Sequence, residues 1–273
     1  MAANMIRSAN WHITSNCNYK CKFCFAKEMR PEIRSIEKQT KILQKLKELG
    51  IEKLNIVGGE PQLHPDFEQI LKLSNDFGFV TTLQTNGSMI NEKNLNVFEK
   101  YLDWIGVSID SGIEKTEVCL GRGYGNHVKN TKRICELIQS FGIKLKINTT
   151  ITSLNCNENM HELISELSPH RWKIFKVLIL EGENEDAAFL EPTEEEFKAF
   201  VEKHSDIILR NGERPTFETA DQMCGSYLMI SPDGMIQSNM NQKLEYRPLS
   251  KLTTLGYIKV DKYIKRGAIY DWR

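Results

Sequence analysis

Three cysteines, Cys17, Cys21 and Cys24, stand at C-x3-C-x2-C spacing in the stretch SNCNYKCKFCF, and the next cysteine is Cys119. A structural zinc site takes four ligands, usually as two pairs, so three crowded thiols suggest other chemistry. Three thiolates can hold three irons of a four-iron cluster, because such clusters are ligated mainly by cysteine. The fourth iron then keeps an open position for a substrate or cofactor. The competing assignment is a zinc knuckle completed by His12 or a remote histidine, although nothing nearby has the usual second-pair spacing.

A second set of residues calls for an anion. Lys53 and Asn55 alternate with Leu54 and Ile56; Lys144, Lys146 and Asn148 with Leu145, Ile147 and Thr149; Arg171 and Lys173 with Trp172 and Ile174. Successive side chains of a strand point to opposite faces. If helices cover the apolar face, the polar set points into a lumen that a closed barrel would fill with Val, Ile and Leu. Several cations in a low-dielectric lumen repel one another and lose hydration. A triphosphate suits Lys and Arg donors in charge and oxygen count. Lys144 and Arg171 stand near strand ends and are equally well read as solvated. Arg122, flanked by glycines in GRGYGNHVKN, can swing toward an anion, and KRG at Lys265–Gly267 can close over phosphates.

These residues need a scaffold to position them. The chain has 273 residues, 40% hydrophobic and 26% charged, ordinary for a soluble globular protein. No apolar run reaches the roughly 20 residues of a membrane span, and the opening MAANMIRSANWHIT has no secretory or transit character. A cytoplasmic protein is expected. Lys plus Arg and Asp plus Glu balance at 36 each, which favours neither nucleic acid nor membrane as partner. Seven cysteines, odd and crowded, argue against a disulfide scaffold. Cys119, Cys135, Cys156 and Cys224 read as ordinary reduced thiols, commonly buried.

Strands are expected at Asn10–Thr14, Lys53–Val57, Phe79–Gln84, Trp104–Ile109, Lys144–Ile151 and Lys173–Leu180. Between them lie helical patterns at Ser35–Leu49, Asp66–Phe77, Glu92–Tyr101, His127–Phe141 and Glu158–Leu167. Ile36, Leu43, Leu46 and Leu49 mark the apolar face of the first. Gly50, Gly78 and Gly142 are expected as left-handed caps. Six strand–helix units imply a parallel sheet with helices outside. Six are too few to close, so the fold class is α/β, a partial (βα)6 TIM-type barrel open on one side. It spans residues 1–190. Residues 191–273 form a C-terminal extension, with a helix at Thr193–His204 and a strand pair around SYLMISPDGMIQS, closing the nucleotide site. The cysteines follow the first strand, on the rim where barrel active sites sit.

The cysteine motif, with Phe23 before its last member, resembles the radical S-adenosylmethionine superfamily. The resemblance implies a [4Fe-4S] cluster whose open iron chelates S-adenosylmethionine and cleaves it to methionine and a 5′-deoxyadenosyl radical. Gly58, Gly59, Glu60 and Pro61 match the family motif that contacts the methionine ammonium. There bare glycines let carbonyls approach a ligand and Glu60 adds negative charge. Thr85 and Asn86 in QTNGS and Ser108 in SID fall where family members bind the cofactor's carboxylate and ribose.

Within that superfamily, NWHITSNCNYKCKFCF, EKLNIVGGEP, GRGYGNHVKN, KIN, RWKIFKVLILEGEN, SYL and KRGAIYDW, in order over residues 8–272, resemble the viperins. These dehydrate a ribonucleoside triphosphate (CTP, UTP or GTP) to the 3′-deoxy-3′,4′-didehydro nucleotide, an antiviral chain terminator. The resemblance implies triphosphate contacts from Lys53, Arg122, Lys146, Lys173 and Arg266. It places Asn10 and Asn148 near sugar and phosphates, and Tyr227 beside the ribose as the catalytic candidate; lumen-facing Asn55 joins the substrate-binding set. An electron donor such as flavodoxin or ferredoxin is implied, acting on a monomer. Animal viperins have Ser at the position of Val57, an amphipathic membrane helix before the cysteines and a long tail; the expectation is a prokaryotic-type soluble enzyme. The alternative is a radical S-adenosylmethionine enzyme acting on a peptide or a purine-derived metabolite. Peptide modifiers usually carry extra C-terminal cysteines, whereas only Cys224 lies beyond Cys156.

Overall fold

The computed structural model describes residues 6–252, 255–256 and 258–272. Six strands, β1 (Ser8–His12), β2 (Lys53–Val57), β3 (Val80–Thr85), β4 (Trp104–Ser108), β5 (Lys144–Ile151) and β6 (Arg171–Lys176), lie side by side in chain order. All neighbours among them are parallel. Burial in β5 alternates residue by residue, with Leu145, Ile147, Thr149 and Ile151 buried. Leu54, Ile56, Ile105, Leu145, Ile147, Trp172 and Ile174 form the core under the helices. The polar set therefore faces the other way, as strand parity requires.

The helices are α1 (Ile36–Glu48), α2 (Phe67–Asp76), α3 (Glu92–Phe98), α4 (Glu114–Leu120), α5 (His127–Ser140), α6 (His161–Leu167), α7 (Glu194–His204), α8 (Ala220–Met223) and α9 (Val260–Lys265). Gly50, Gly78 and Gly142 all have positive φ and end α1, α2 and α5. In α1 the buried set is Gln39, Ile42, Leu43 and Leu46, while Ile36 at the first turn is 50% exposed. Short α4 went unmarked in the sequence pattern. Helix α6 starts later than expected because the Glu158 carboxylate accepts from Ser111 Oγ at 2.7 and 2.8 Å. Strand β6 stops at Lys176 because Asn184 captures the next turn, accepting from Leu180 N and donating to Leu178 O. Cys135, Cys156 and Cys224 are buried, and Cys119 is exposed.

The C-terminal third lengthens both edges of the same sheet. Strand β7 (Thr216–Glu218) adds parallel to β6. Strand β8 (Met229–Ile230) adds parallel to β1, and β9 (Met235–Ser238) and β10 (Glu245–Pro248) continue antiparallel. The ten-stranded sheet runs β10-β9-β8-β1-β2-β3-β4-β5-β6-β7 and does not close. Beyond α9 the chain crosses the N-terminal ends of the strands. There Trp272 packs with Val80 and Trp104, and Trp104 Nε1 donates to Trp272 O at 2.8 Å. Truncating Trp272 to Ala removes a buried indole and is expected to cost about 3–5 kcal/mol, read as a lower urea midpoint at constant slope. An unchanged midpoint would contradict this packing.

Candidate active site

The loop after β1 carries Cys17, Cys21 and Cys24 to the wall of a cavity of about 1090 Å³. Its backbone is clamped by three other segments. Gly59 N donates to Thr14 O and Glu60 N to Asn16 O, both at 2.8 Å, and a Cβ on Gly59 would stand 2.3 Å from Asn16 O. On another side Lys22 N donates to Leu120 O at 2.8 Å, and a Cβ on Gly121 would stand 2.1 Å from Lys20 O. On the third, buried Asn184 donates to Phe23 O at 2.8 Å. The GGEP glycines thus allow close backbone packing against the cysteine loop. Tyr19 N donates to Cys17 Sγ and Ala26 N to Cys24 Sγ, each at 3.4 Å, with Asn86 Nδ2 3.9 Å from Cys17 Sγ. Burial pushes all three thiols up, Cys21 to about 12, so ionisation needs the positive charge of bound metal. Among the described residues no three His, Cys, Asp or Glu side chains converge to hold one metal ion. All three thiols line the one cavity, and Cys17 and Cys24 accept backbone N–H groups, a setting that suits a thiolate-ligated cluster.

Phe23, Gly58, Gly59, Thr85, Asn86 and Ser108 line this cavity, whereas Glu60 and Pro61 do not. Glu60 is fully buried; its carboxylate accepts from Thr85 Oγ1 and from Asn86 N at 2.8 Å. Burial raises it to about 7. It braces the loops after β2 and β3 rather than presenting charge to a ligand. Pro61 opens the tight turn Pro61–Leu63 behind it. Arg122 also differs from expectation. Two buried carboxylates, Asp110 at 2.5 Å and Glu117 at 3.7 Å, hold its Nε, and it lines the thiol cavity without reaching the cationic lumen.

That lumen is a second space of about 230 Å³ that shares part of its wall with the first. Asn10, Val57, Gln84, Asn148, Phe175, Tyr227 and Met229 line both. Lys53, Lys146, Arg171, Lys173 and Arg266 line the deeper part, with no carboxylate among the described lining residues. Lys53 donates to the Tyr270 hydroxyl and faces the rings of Tyr270, Trp104 and Trp272 at 4.6, 5.1 and 5.5 Å. Arg171 donates to Gly267 O and stacks on Tyr270, and Arg266 stacks 3.6 Å over Tyr227. Burial, then mutual repulsion, lowers Lys53 and Lys146 well below the ordinary lysine value; burial brings Lys173 to about 7. Lys144 lies against Trp104 instead, outside the lining.

At mid-height Asn55 donates to Asn10 at 2.8 Å and Asn148 donates to Gln84. Asn148 Oδ1 and Gln84 Nε2 remain buried without partners. At the junction Tyr227 donates to Glu218 at 2.6 Å. Gln84, Tyr270, Asn184 and Glu218 were absent from the site expected from sequence, and Arg171, left open between lumen and solvent, lines the lumen. Gln84 shares lumen parity with Thr82 and Asn184 closes the LEGEN stretch, so both carried a signal; Glu218 carried none.

A model of the radical SAM superfamily matches residues 11–168. The S-adenosylmethionine-dependent nucleotide dehydratase of a Thermoplasmatales archaeon is 34% identical, over 97% of this chain and 96% of its own. This chain belongs to the radical SAM superfamily, in its viperin-like branch. The similarly named protein of Flammeovirga pacifica is 35% identical, over 99% and 97% of the two chains, and that of Oncorhynchus mykiss is 37% identical over 73% and 61%. The fold is shared with Streptococcus suis SuiB bound to S-adenosylmethionine, at TM-score 0.70 and 18% identity over 95% of this chain and 67% of that one. No helix among the described residues is long and apolar enough to cross a membrane.

The viperin-like enzyme uses a [4Fe-4S] cluster and S-adenosylmethionine, and its three-thiol cavity fits the pair. Replacing Cys17, Cys21 or Cys24 by Ala is expected to abolish the brown absorbance after anaerobic reconstitution while the thermal melt persists; loss of the melt would indicate a structural metal. A second expectation concerns pH. Unfolded Lys173 titrates near 10.5 and folded Lys173 near 7, so the unfolded chain binds more protons between these values and stability rises with pH there. An anion in the lumen restores the protonated lysines. The Kd for a nucleoside triphosphate is therefore expected to weaken from pH 7 to 9, by up to about tenfold per unit for each proton taken up. A flat calorimetric profile would mean the empty lumen keeps its lysines charged.

Proposed function

We propose that this radical SAM enzyme dehydrates a ribonucleoside triphosphate (CTP, UTP or GTP) to the 3′-deoxy-3′,4′-didehydro nucleotide, an antiviral chain terminator. The observation that carries the reading is a lumen walled by five basic side chains that shares its wall with the thiol-lined cavity. The names of the relatives point the same way. When bound, the cluster and S-adenosylmethionine supply a carbon radical able to remove one hydrogen atom.

The chain's own residues supply selectivity, because such a radical attacks almost any C–H bond and only position discriminates. Lys53, Lys146, Arg171, Lys173 and Arg266 hold the triphosphate deep in the lumen. Asn10, Asn55, Gln84 and Asn148 hold the ribose at the junction, with its C4′ hydrogen toward the cofactor cavity. Tyr227 stands beside the 3′-oxygen. After the C4′ hydrogen is lost, protonation of the 3′-hydroxyl releases water. One electron from a low-potential donor such as flavodoxin or ferredoxin then leaves a C3′=C4′ double bond. Arg122, held beside Phe23 and the cysteine loop, serves the cofactor rather than the phosphates. The same reading takes the enzyme as a cytoplasmic monomer.

With nucleotide deuterated at C4′, mass spectrometry should find deuterium in 5′-deoxyadenosine and a nucleotide lighter by water plus the isotope. Unlabelled 5′-deoxyadenosine with intact nucleotide, for all three bases, would refute the reaction. Lys146→Ala should weaken triphosphate binding by roughly 2–5 kcal/mol and leave S-adenosylmethionine binding intact; equal binding of nucleoside and triphosphate would defeat the lumen assignment.

A further inference from the structure

Glu218 belongs to a strand of three residues at one end of the parallel array, yet it is fully buried. Its Oε2 accepts the Tyr227 hydroxyl at 2.6 Å, and its Oε1 pairs with Lys173 Nζ. Lys173 Nζ also lies 3.1 Å from the Tyr227 oxygen. Three side chains from β6, β7 and the turn before β8 thus close a triangle where the two cavities meet. The charged groups facing it are Arg171 from β6, Lys146 from β5 and Arg266 from the end of α9. Tyr227 has one proton to donate, and that proton points at Glu218. In this state the phenol can offer a ribose only a lone pair.

Resting on the reading that a triphosphate fills the lumen, we propose that Glu218 is the positioning residue for the Tyr227 proton and that triphosphate binding reverses their hydrogen bond. Lys173 lines the phosphate cavity, so a bound triphosphate shares its ammonium with Glu218. In the bound state one proton enters the triangle from solvent and is received by Glu218 Oε2, the carboxylate oxygen 2.6 Å from the phenol. Its O–H then donates to the Tyr227 oxygen, which turns the Tyr227 O–H to the ribose 3′-oxygen. As the C3′–O bond breaks, the Tyr227 proton leaves with the hydroxyl as water. The Glu218 proton passes to the phenol oxygen, and the carboxylate pairs with Lys173 again. The relay moves only protons and ends where it began.

Glu218→Ala and Glu218→Gln separate this role from packing, because the carboxamide introduced by Glu218→Gln can donate to Tyr227 as a protonated Glu218 would. In reconstituted, reduced enzyme given the nucleoside triphosphate that wild type turns over, E218A should form 5′-deoxyadenosine but lose at least tenfold in dehydrated nucleotide per 5′-deoxyadenosine. E218Q should recover most of that coupling. Difference infrared spectra on adding triphosphate to wild type should show the C=O stretch of a protonated carboxylic acid, absent in E218Q. This spectrum tests the proposal even where E218A fails to melt cooperatively. Wild-type coupling in E218A, no rescue in E218Q, or no protonated-acid band in wild type would each overturn the inference while leaving the dehydratase reading intact. Failure of wild type to bind or dehydrate any triphosphate would overturn both.

Discussion

Five basic side chains face one another across the lumen, and burial strips from Lys53, Lys173 and Arg266 the water that would screen their charge. Left alone, that arrangement opposes folding, since like charges in low dielectric repel and remain unsolvated. The surrounding structure offsets the cost with ring faces rather than with carboxylates. Lys53 lies among Trp104, Tyr270 and Trp272, and Arg171 and Arg266 lie flat on Tyr270 and Tyr227. A cation over an aromatic face gains roughly 0.5–2 kcal/mol and keeps its N–H groups for another partner. Glu218 is the one full countercharge in contact among the described residues, and it meets Lys173 alone among the five. The lumen therefore stays short of negative charge, the condition a polyanionic ligand satisfies.

The same need explains why the C-terminal segment crosses the strand ends. An open sheet leaves the lumen floor exposed to water. Residues from Arg266 to Trp272 cover it, contributing Arg266 and Tyr270 to the wall and Trp272 to the packing beneath. Floor and phosphate site are one construction, so tail docking and anion binding favour each other.

At the opposite end the constraint is distance between backbones. The cysteine loop lies so close to Gly59 and Gly121 that a Cβ at either would overlap its carbonyls. Glu60 then ties the following loop through Thr85 and Asn86. The thiol-bearing loop is thus held by close backbone packing, and Glu60 extends that support to the loops after β2 and β3.

Much of this was legible in the sequence because it is local. Cysteine spacing, strand parity and helix-ending glycines depend on a few neighbouring residues, so the thiol loop, the inward Lys146 and Lys173, and all six central strands to within about two residues of their starts could be read directly. Position in space was another matter. Arg122 looked free on its loop, but Asp110 and Glu117 hold it on the cofactor side. Glu60 looked like a ligand-facing charge and is a brace. Glu218 carried no motif and became a central contact only when β7 docked beside β6, more than forty residues along the chain from Lys173. Charge partners are chosen by what packing brings within a few ångströms and removes from water, and that choice is made only by the tertiary structure.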